Sequence, residues 1–432
     1  MAAVAVIRIS GPATRAVLET LCGGVPAPRH ASLREIARPP IDRGLVLWFP
    51  GPASFTGEDM AELQVHGSRA VVRAIVEAVL AVEGTGLAAP GAFARRAFEN
   101  GKLDLTEVEG LADLIAAETE AQRRQALAQS EGSLRRLYEA WRGELVTAQA
   151  LMEAGLDFAD EADVAADVAT KANAIVVPLL DSIAMHLADR SGERLRDGLR
   201  IVIAGPPNAG KSSLMNALAK RDVAIVAEEA GTTRDVIEVH LDLGGLPVIL
   251  ADTAGIRAGT DAVEGEGIRR ALARAEDADL VLWVIDATNP VFEPPAQLRG
   301  IPRIAALNKT DLAYVSVETA QDTAQVERDA PQDILRVSAK TGEGLAALIA
   351  RLEEIASGNF GGGGQAPITR TRHRVELVSA RDALQRFVNH DLAPELKAEE
   401  LRIAARHLGR LTGIIDVEEV LGAIFAEFCI GK

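Results

Sequence analysis

The sequence "GPPNAGKSS", residues 205–213, has the residue types and the spacing of a loop that binds nucleotide phosphates. An apolar run ends at Gly205 and a helix-forming run follows Lys211, which is the strand, loop and helix setting in which Gly-x4-Gly-Lys-Ser acts. Backbone N–H groups and the positive end of the helix would surround the phosphate oxygens, with Lys211 at the terminal phosphates and Ser212 on Mg²⁺. An ordinary glycine-rich turn before a helix is the alternative.

Two polar loops after this motif have the composition of nucleotide-sensing switches. The string "AGTTRD" offers Thr232 or Thr233 to the magnesium ion and to the γ-phosphate. In "DTAG", Asp252 is suited to the outer sphere of the metal and the N–H of Gly255 to the γ-phosphate. Loss of that phosphate would release both loops.

A third group of motifs predicts that the base is guanine. The string "NKTD", Asn308 to Asp311, follows an apolar run, and the Asp311 carboxylate can accept from the N1–H and the exocyclic amine of guanine. Adenine lacks these donors and would leave the buried carboxylate unpaired. The backbone of "SAK", Ser338 to Lys340, suits guanine O6. We therefore predict GTP, not ATP.

The residue after "DTAG" is Ile256, where many switch GTPases carry the glutamine that orients the hydrolytic water. Another group must therefore orient the water. The candidates nearby are Glu264, Glu266 and Arg257, and the residue types alone do not rank them.

The elements that must position these residues fall into segments of distinct composition. Short β-like runs with turn clusters predict an α+β unit, alanine-rich periodic runs predict helices, and alternating strands and helices predict a parallel sheet. We expect the two helical stretches to form one domain into which the α/β unit is inserted. The predicted segments are an α+β unit, a first helical part, the α/β unit, a flexible linker and a second helical part, at 1–102, 103–196, 197–357, 358–366 and 367–432.

Helix-capping residues mark two of the predicted helix starts. Thr106 with Glu109 fits a capping box for the first helix of the first helical part, and Asp416 with Glu419 fits one for the last helix of the chain.

Composition limits the function classes. Hydrophobic residues make up 48% of the chain and charged residues 25%, so bulk disorder is not expected. Aromatic residues make up only 3%, which argues against stacking platforms for single-stranded nucleic acid. A formal charge of −16 means that contact with RNA would need a local basic patch, such as residues 194–200 or 370–374.

The two cysteines, Cys22 and Cys429, lie at opposite ends of the chain and predict neither a disulfide framework nor a zinc site. The first residues have no basic region and form no membrane span, so we expect a cytoplasmic protein without a transmembrane segment. The closing "FCIGK" could be a frayed tail, a lipidation signal or part of a site. Gly431 and the terminal Lys432 do not fit a prenylation box.

The order of these motifs, together with "SFTGEDMAELQVHG", "PGAFARRAFENGKLDLTEVEGLADLI" and "FCIGK", resembles the MnmE (TrmE) family of tRNA-modifying GTPases over essentially the whole chain. The resemblance implies an N-terminal α+β domain that binds folate and dimerises, a helical domain built from two chain segments, and an inserted Ras-like P-loop GTPase domain whose parallel-rich sheet carries helices on both faces.

The same resemblance implies the chemistry and the partners. An aminomethyl or carboxymethylaminomethyl group would be added to C5 of the wobble uridine of certain tRNAs, with glycine or ammonium as the donor. The one-carbon unit would come from a tetrahydrofolate derivative, in its 5,10-methylene or 5-formyl form. The chain would act as a homodimer with an MnmG-type protein, in a heterotetramer with FAD on the partner only. K⁺ and dimerisation of the GTPase domains would activate GTP hydrolysis.

Residue by residue, the resemblance assigns a larger set of positions. The nucleotide-binding positions are Asn208, Ala209, Gly210, Lys211, Ser212, Ser213, Thr232, Thr233, Asp252, Thr253, Ala254, Gly255, Asn308, Lys309, Asp311, Ser338, Ala339 and Lys340. Ser212 and Thr233 would bind Mg²⁺, and Asn208, Ala227, Glu229 and Thr232 would bind K⁺. Catalysis would involve Glu264, Asn208, Lys211 and Cys429, and folate would meet Arg8, Glu62, Lys102 and Lys432.

Without the resemblance, the residues are also compatible with two other functional classes of protein. A ribosome-assembly or RNA-binding switch GTPase shares the nucleotide motifs but would need an RNA module such as a KH domain. A helical scaffold with a nucleotide-dependent clamp is the other. Without the resemblance, Arg8, Glu62 and Lys102 would count as ordinary surface charges.

Overall fold

The structure is a computed structural model that describes most of the chain. The described residues are 2–157, 162–221, 223–225, 238–252, 278–295, 298, 300–313, 334–360, 367–415, 421–422, 424–425 and 428. The chain divides into two compact units. Unit 1 comprises Met1–Ala112, Ala128–Asp181 and Glu376–Lys432, and unit 2 comprises Asp113–Leu127 and Ser182–Val375. The predicted helical stretches 103–196 and 367–432 are thus shared between both units.

An antiparallel sheet begins unit 1, in the strand order β1-β4-β3-β2. The strands are β1 (Val4–Ser10), β2 (Ser32–Ile36), β3 (Asp42–Phe49) and β4 (Met60–His66). One face packs on helices α1 (Thr14–Cys22) and α2 (Arg69–Leu80), around a core that includes Leu18, Leu63 and Ile75. On the other face Val4, Val6, Leu33 and Leu45 are exposed. The alternation along each strand produces these two faces, as expected for an antiparallel sheet with one buried side.

Helices account for most of the other described residues of unit 1. They are α3 (Ala92–Glu99), α4 (Leu105–Ala116), α5 (Glu120–Ser130), α6 (Ser133–Asp157), α7 (Ala162–Ala188), α12 (Thr371–Asn389) and α13 (Pro394–Thr412), some of which continue into unit 2. Helix α6 packs along α13, and Arg402 of α13 pairs with Glu153 of α6 at 3.2 Å. Helices from both sides of the α/β segment therefore pack against each other in unit 1.

The last described residue of the chain lies in a core shared with helices α3 and α4 of unit 1. Phe428 and Phe425 pack with Ala94 of α3 and with Leu105 and Val108 of α4. The chain therefore runs back to the N-terminal part immediately before Cys429. The residues 429–432, like the predicted cap at Asp416 and Glu419, lie outside the described part.

Helix α4 begins one residue earlier than Thr106, so the predicted capping box at Thr106 and Glu109 is wrong. Asp104 Oδ1 accepts from Glu107 N at 2.8 Å, and Glu107 Oε2 accepts from Asp104 N at 2.7 Å. This is a capping box two residues upstream of the predicted one. The helix begins at Leu105, which is fully buried, so Thr106 and Glu109 lie inside it.

The Asp104 cap should make the stability of unit 1 depend on pH. Burial raises the pKa of the Asp104 carboxyl to about 6, although hydrogen bonds from Glu107 and Thr106 lower it, and the charge of Glu107 raises it further. Because an unfolded aspartate ionises near pH 4, stability should fall as pH rises from about 4 to about 6, by roughly 3 kcal/mol. Asp104→Asn should remove this loss, seen in urea unfolding between pH 4 and 7.

Asp391→Asn changes an exposed aspartate of the same unit and is the matched control. Its unfolding free energy should keep the pH dependence of the parent chain. Parallel profiles for the parent and Asp104→Asn would show that Asp104 does not carry the effect.

Unit 2 contains a six-stranded sheet in the order β10-β9-β8-β5-β7-β6. The strands are β5 (Leu199–Ala204), β6 (Glu238–Leu243), β7 (Leu246–Asp252), β8 (Leu280–Asp286), β9 (Arg303–Asn308) and β10 (Ile334–Arg336). All pairs are parallel except β6 with β7. The central strands β5 and β8 are almost wholly buried, as their continuous apolar sequences predict.

Helices α8 (Ser191–Asp197), α9 (Lys211–Ala219), α10 (Thr310–Ala313) and α11 (Leu345–Phe360) accompany this sheet. Leu214 and Leu218 of α9 and Leu348 and Leu352 of α11 join one core on the sheet. A second core contains Trp283 and Leu298. Residues 358–360, predicted to begin the linker, instead continue α11.

One helical stretch of the described residues, Val168–Asp197, passes a membrane-span test by length and composition, with a mean hydropathy of 1.4. A core helix of a soluble protein passes the same test, so a single such stretch is weak evidence for a span. In α7, Ala172, Val176 and Leu179 are buried. Their spacing is that of the packed side of a bundle helix.

Candidate nucleotide-binding site

The phosphate-binding loop lies between the carboxyl end of β5 and the first turn of α9, as predicted. A Cβ built at Gly205 would overlap the carbonyl oxygen of Val284, so only glycine lets the loop pass the neighbouring strand. Gly210 has φ +88°, and a Cβ there would overlap Asn308 Nδ2. Asn208 also has a left-handed backbone, with φ +62°. The loop therefore curls so that the amino end of α9 closes it.

Lys211 bends back over this loop. Its Nζ donates to the carbonyl oxygens of Gly205 at 3.0 Å and Pro206 at 2.9 Å. These bonds place the ammonium inside the loop, where phosphates bind in proteins with this motif. Ser212 and Ser213 follow in the exposed first turn of α9.

Asn308 joins the phosphate loop to the loop that contains Ser338. It is the last residue of β9 and is 1% exposed. Its Nδ2 donates to the carbonyl oxygen of Ala209 at 2.9 Å, and its Oδ1 accepts from Ala339 N at 3.0 Å. The structure therefore brings together three motifs that lie far apart in the sequence.

Asp311 is held by the loop that contains Ser338. Ser338, which is buried, donates from Oγ to Asp311 Oδ1 at 2.7 Å. Thr310, also buried, donates to the carbonyl oxygen of Val337 at 3.0 Å, which fixes the turn that carries Asp311. Asp311 is half-buried, and the hydroxyl of Ser338 orients its carboxylate.

Sequence reasoning missed one charged residue at this site. Asp286 ends β8, and its Oδ2 lies 2.6 Å from Lys309 Nζ. Burial raises the pKa of Asp286, but the hydrogen bonds from Lys309 and Thr288 and the charge of Lys309 outweigh it, so its pKa lies below the ordinary value. The available signal was an aspartate at the end of an apolar run, since adjacent parallel strands end at the same edge of a sheet.

Several predicted site residues lie outside the described part of the chain. These are Ala227, Glu229, Thr232, Thr233, Thr253, Ala254, Gly255, Glu264, Cys429 and Lys432. Asp252 ends β7 as predicted, beside Ile203 of β5. Ser212 and Asp252 thus belong to elements at the same edge of the sheet. A hydroxyl and a carboxylate are oxygen donors of the kind that Mg²⁺ prefers, so this donor set fits the metal.

In the N-terminal sheet, Arg8 and Glu62 are register partners on β1 and β4, and Arg8 Nε lies 2.9 Å from Glu62 Oε1. Arg8 also lines a cleft of about 490 Å³ between β1, α2 and α3. Lys102 Nζ donates to the carbonyl oxygen of Pro52 at 3.1 Å. Two of the predicted folate residues are therefore in contact, whereas Lys102 is held by a neighbouring loop.

Several arginines of the two clusters suggested for RNA form ion pairs within unit 2. Arg370, 8% exposed, and Arg196 both pair with Asp113, at 2.8 and 3.0 Å. Arg374 pairs with Glu193 at 2.8 Å. The prediction of a free basic patch at residues 370–374 is wrong for Arg370 and Arg374, because distant carboxylates neutralise them.

Comparison with known proteins covers the whole chain. The family model described as the MnmE helical domain matches residues 105–429, and the one described as the GTP-binding protein TrmE N-terminus matches residues 1–102. A protein named tRNA modification GTPase MnmE from Rhodopseudomonas palustris is 51% identical, with 100% of this chain and 96% of the relative covered. One of the same name from Rhizobium etli is 50% identical, with 99% and 96% covered.

Among solved structures, the G domain of the FeoB iron transporter of T. maritima is 28% identical over 37% of this chain and 98% of that chain. Its TM-score is 0.26, and so low a value carries no weight for the fold.

Proposed function

The chain belongs to the MnmE family of tRNA modification GTPases, and from this premise we propose how its parts carry out that activity. It is a GTP hydrolase that acts in tRNA modification. In the proposed reaction, GTP hydrolysis accompanies the addition of an aminomethyl or carboxymethylaminomethyl group to C5 of a wobble uridine. The match to both family models favours this over an assembly GTPase or a helical scaffold.

The observation that carries the nucleotide site is the double hydrogen bond of Asn308. It links the carbonyl oxygen of Ala209 in the phosphate loop to Ala339 N in the loop that contains Ser338. One buried side chain thus sets the distance between the phosphate-binding backbone and the base-binding residues. We assign Asn308, Lys309 and Asp311 with Ser338, Ala339 and Lys340 to guanine, and residues 208–213 to the phosphates.

Ser212 and Thr233 are the proposed Mg²⁺ ligands, with Asp252 in the outer sphere. Bound Mg²⁺ neutralises phosphate charge during transfer. Glu264 is the proposed group that orients the water, which suits a switch loop with Ile256 in place of glutamine. Asn208, Ala227, Glu229 and Thr232 are the proposed K⁺ ligands, and the cation supplies positive charge beside the phosphates.

GTP hydrolysis should be faster in K⁺ than in Na⁺, by about tenfold or more if the cation acts as a preorganised charge. Asn208→Gly should bring the two rates close together. Glycine is preferred to alanine here because Asn208 has φ +62°, where alanine would add backbone strain. The measurement is phosphate release in potassium and sodium chloride at equal ionic strength.

Asn216→Ala, in the helix after the loop, is the control and should keep the K⁺ preference of the parent chain. Equal rates for the parent chain in both salts would refute the cation site. A preference retained by Asn208→Gly would place the cation elsewhere.

The proposed folate site contains Arg8, Glu62, Lys102 and Lys432. A carboxylate can pair with the aminopyrimidinone edge of a pterin, and basic groups can pair with the glutamate end of folate. The contact of Arg8 with Glu62 supports a common site. Phe428, the last described residue, packs in one core with α3 and α4, and α4 begins three residues after Lys102.

The proposed assembly is a homodimer that binds an MnmG-type FAD protein and tRNA in the cytoplasm. The exposed sheet face with Val4, Val6, Leu33 and Leu45 supports a dimer contact, since it offers apolar side chains on one surface. Dimerisation of the GTPase domains would belong to the active state.

The test of the proposed function is mass spectrometry of tRNA nucleosides from cells that lack this chain. Wobble uridines should lose the C5 group, and the parent gene should restore it. An unchanged nucleoside profile would contradict the proposed chemistry while leaving the GTPase assignment intact.

A further inference from the structure

The carboxylate of Asp286 contacts one of the residues assigned to the nucleotide, Lys309. Asp286 and Asn308 are register partners at the carboxyl ends of β8 and β9, and Lys309 is the next residue. The Lys309 ammonium lies 2.6 Å from Asp286 Oδ2. The other carboxylate oxygen, Oδ1, accepts from Thr288 N at 2.9 Å and from Thr288 Oγ1 at 2.7 Å. One carboxylate oxygen therefore holds Lys309, and the other holds Thr288.

Lys309 is fixed at both ends. Its backbone has φ +64°, an uncommon value for a residue with a side chain. The preceding residue, Asn308, is held by hydrogen bonds from its side-chain amide to Ala209 and Ala339. At the far end, Asp286 holds the ammonium. The side chains are only 29% and 13% exposed, so water and salt weaken this pair less than they weaken an ion pair on the open surface.

We infer that Asp286 is a positioning residue for the guanine nucleotide, acting by holding the Lys309 side chain in one conformation beside the base. This rests on the proposed assignment of Asn308, Lys309 and Asp311 to the base site. A free lysine side chain has many rotamers, and a ligand that packs on it must first order it. Asp286 removes this cost before the nucleotide arrives, so it strengthens binding without touching the ligand.

A purely structural reading is that Asp286 only closes the turn after β8 through Thr288. The two readings differ in which oxygen matters. Asp286→Asn keeps an oxygen that can accept from Thr288 but removes the charge that holds Lys309. Thr288→Ala does the reverse, since it removes the hydroxyl donor to Oδ1 and leaves Oδ2 with Lys309.

The experiment measures binding of a fluorescent N-methylanthraniloyl GDP to the full chain, with GTP hydrolysis in parallel. Asp286→Asn should weaken GDP binding about tenfold, mainly through faster dissociation, because the Lys309 side chain is no longer held in place before the nucleotide binds. The KM for GTP should rise by a similar factor while kcat stays within about twofold. Thr288→Ala should bind GDP within about twofold of the parent chain.

The double variant decides whether the effect passes through Lys309. In a Lys309→Ala background, Asp286→Asn should weaken binding by less than about twofold, since residues in one network do not act additively. If the effects of Asp286→Asn and Lys309→Ala on GDP affinity add fully, the inference is wrong. It is also wrong if Asp286→Asn and Thr288→Ala lose equal affinity for GDP, or if Asp286→Asn binds GDP within twofold of the parent. Normal GDP affinity in Lys309→Ala would instead refute the base-site assignment.

Discussion

Asp311→Asn should lower the affinity for GDP by at least about a thousandfold, because a site built around hydrogen bonds rejects ligands that leave them unpaired. In the proposed base site, the parent carboxylate accepts from two donors of guanine, its N1–H and its amine. Asparagine would present an NH₂ group to one of those donors. Ser338 Oγ lies 2.7 Å from Asp311 Oδ1 and holds the group in this orientation. Titration with fluorescent GDP measures the loss.

The same variant should gain affinity for xanthosine diphosphate, whose C2 carbonyl can accept from the new NH₂ group. Asp242→Asn is the matched control, because Asp242 accepts from Gly245 N in the β6–β7 turn of the same unit, and asparagine can accept there too. Its GDP affinity should equal that of the parent chain. If Asp311→Asn binds GDP within about tenfold of the parent, the base is read elsewhere.

Much of unit 2 can be predicted from its sequence because the local pattern and the fold agree. Strand β8 reads "LVLWVID" and is buried along nearly its whole length, as a central strand of a parallel sheet must be. Helix boundaries are harder, as α4 shows. Both Asp104 and Thr106 are suitable cap residues by type, and the burial of Leu105 decides between them. That burial depends on contacts with Phe425 and Phe428, more than three hundred residues away in sequence.

The candidate site divides in the same way. Lys211 could be found from its motif because its partners Gly205 and Pro206 are neighbours in sequence. Asn308 could be found from its motif too, but its hydrogen bonds to Ala209 and Ala339 could not, because those residues lie far away in the sequence. Asp286 could not, because its role depends on the register of β8 against β9, which sets which side chain meets Lys309. The ion pairs of Arg370 and Arg374 could not be predicted from the sequence either. Their partners Asp113 and Glu193 lie far away in the chain, so a run of arginines looked like an open basic surface.

Gly210→Ala should weaken GDP binding by at least about a hundredfold. Gly210 has φ +88°, which an alanine adopts only with strain. Its Cβ would also overlap Asn308 Nδ2, the atom that donates to the Ala209 carbonyl. Asn308 is 1% exposed and has no room to withdraw. The substitution should therefore separate the phosphate loop from the base-binding loop, and GDP titration should detect this.

Gly358→Ala in α11 separates this effect from glycine loss in general, since a Cβ there meets no atom within 4 Å. Alanine favours a helix over glycine by up to about 1 kcal/mol, so this variant should bind GDP normally and melt no lower than the parent. A folded Gly210→Ala protein that binds GDP within tenfold of the parent would mean that the Asn308 link is dispensable. The phosphate loop and the base-binding residues would then act as separate sites, and base recognition would not depend on the position of the phosphates.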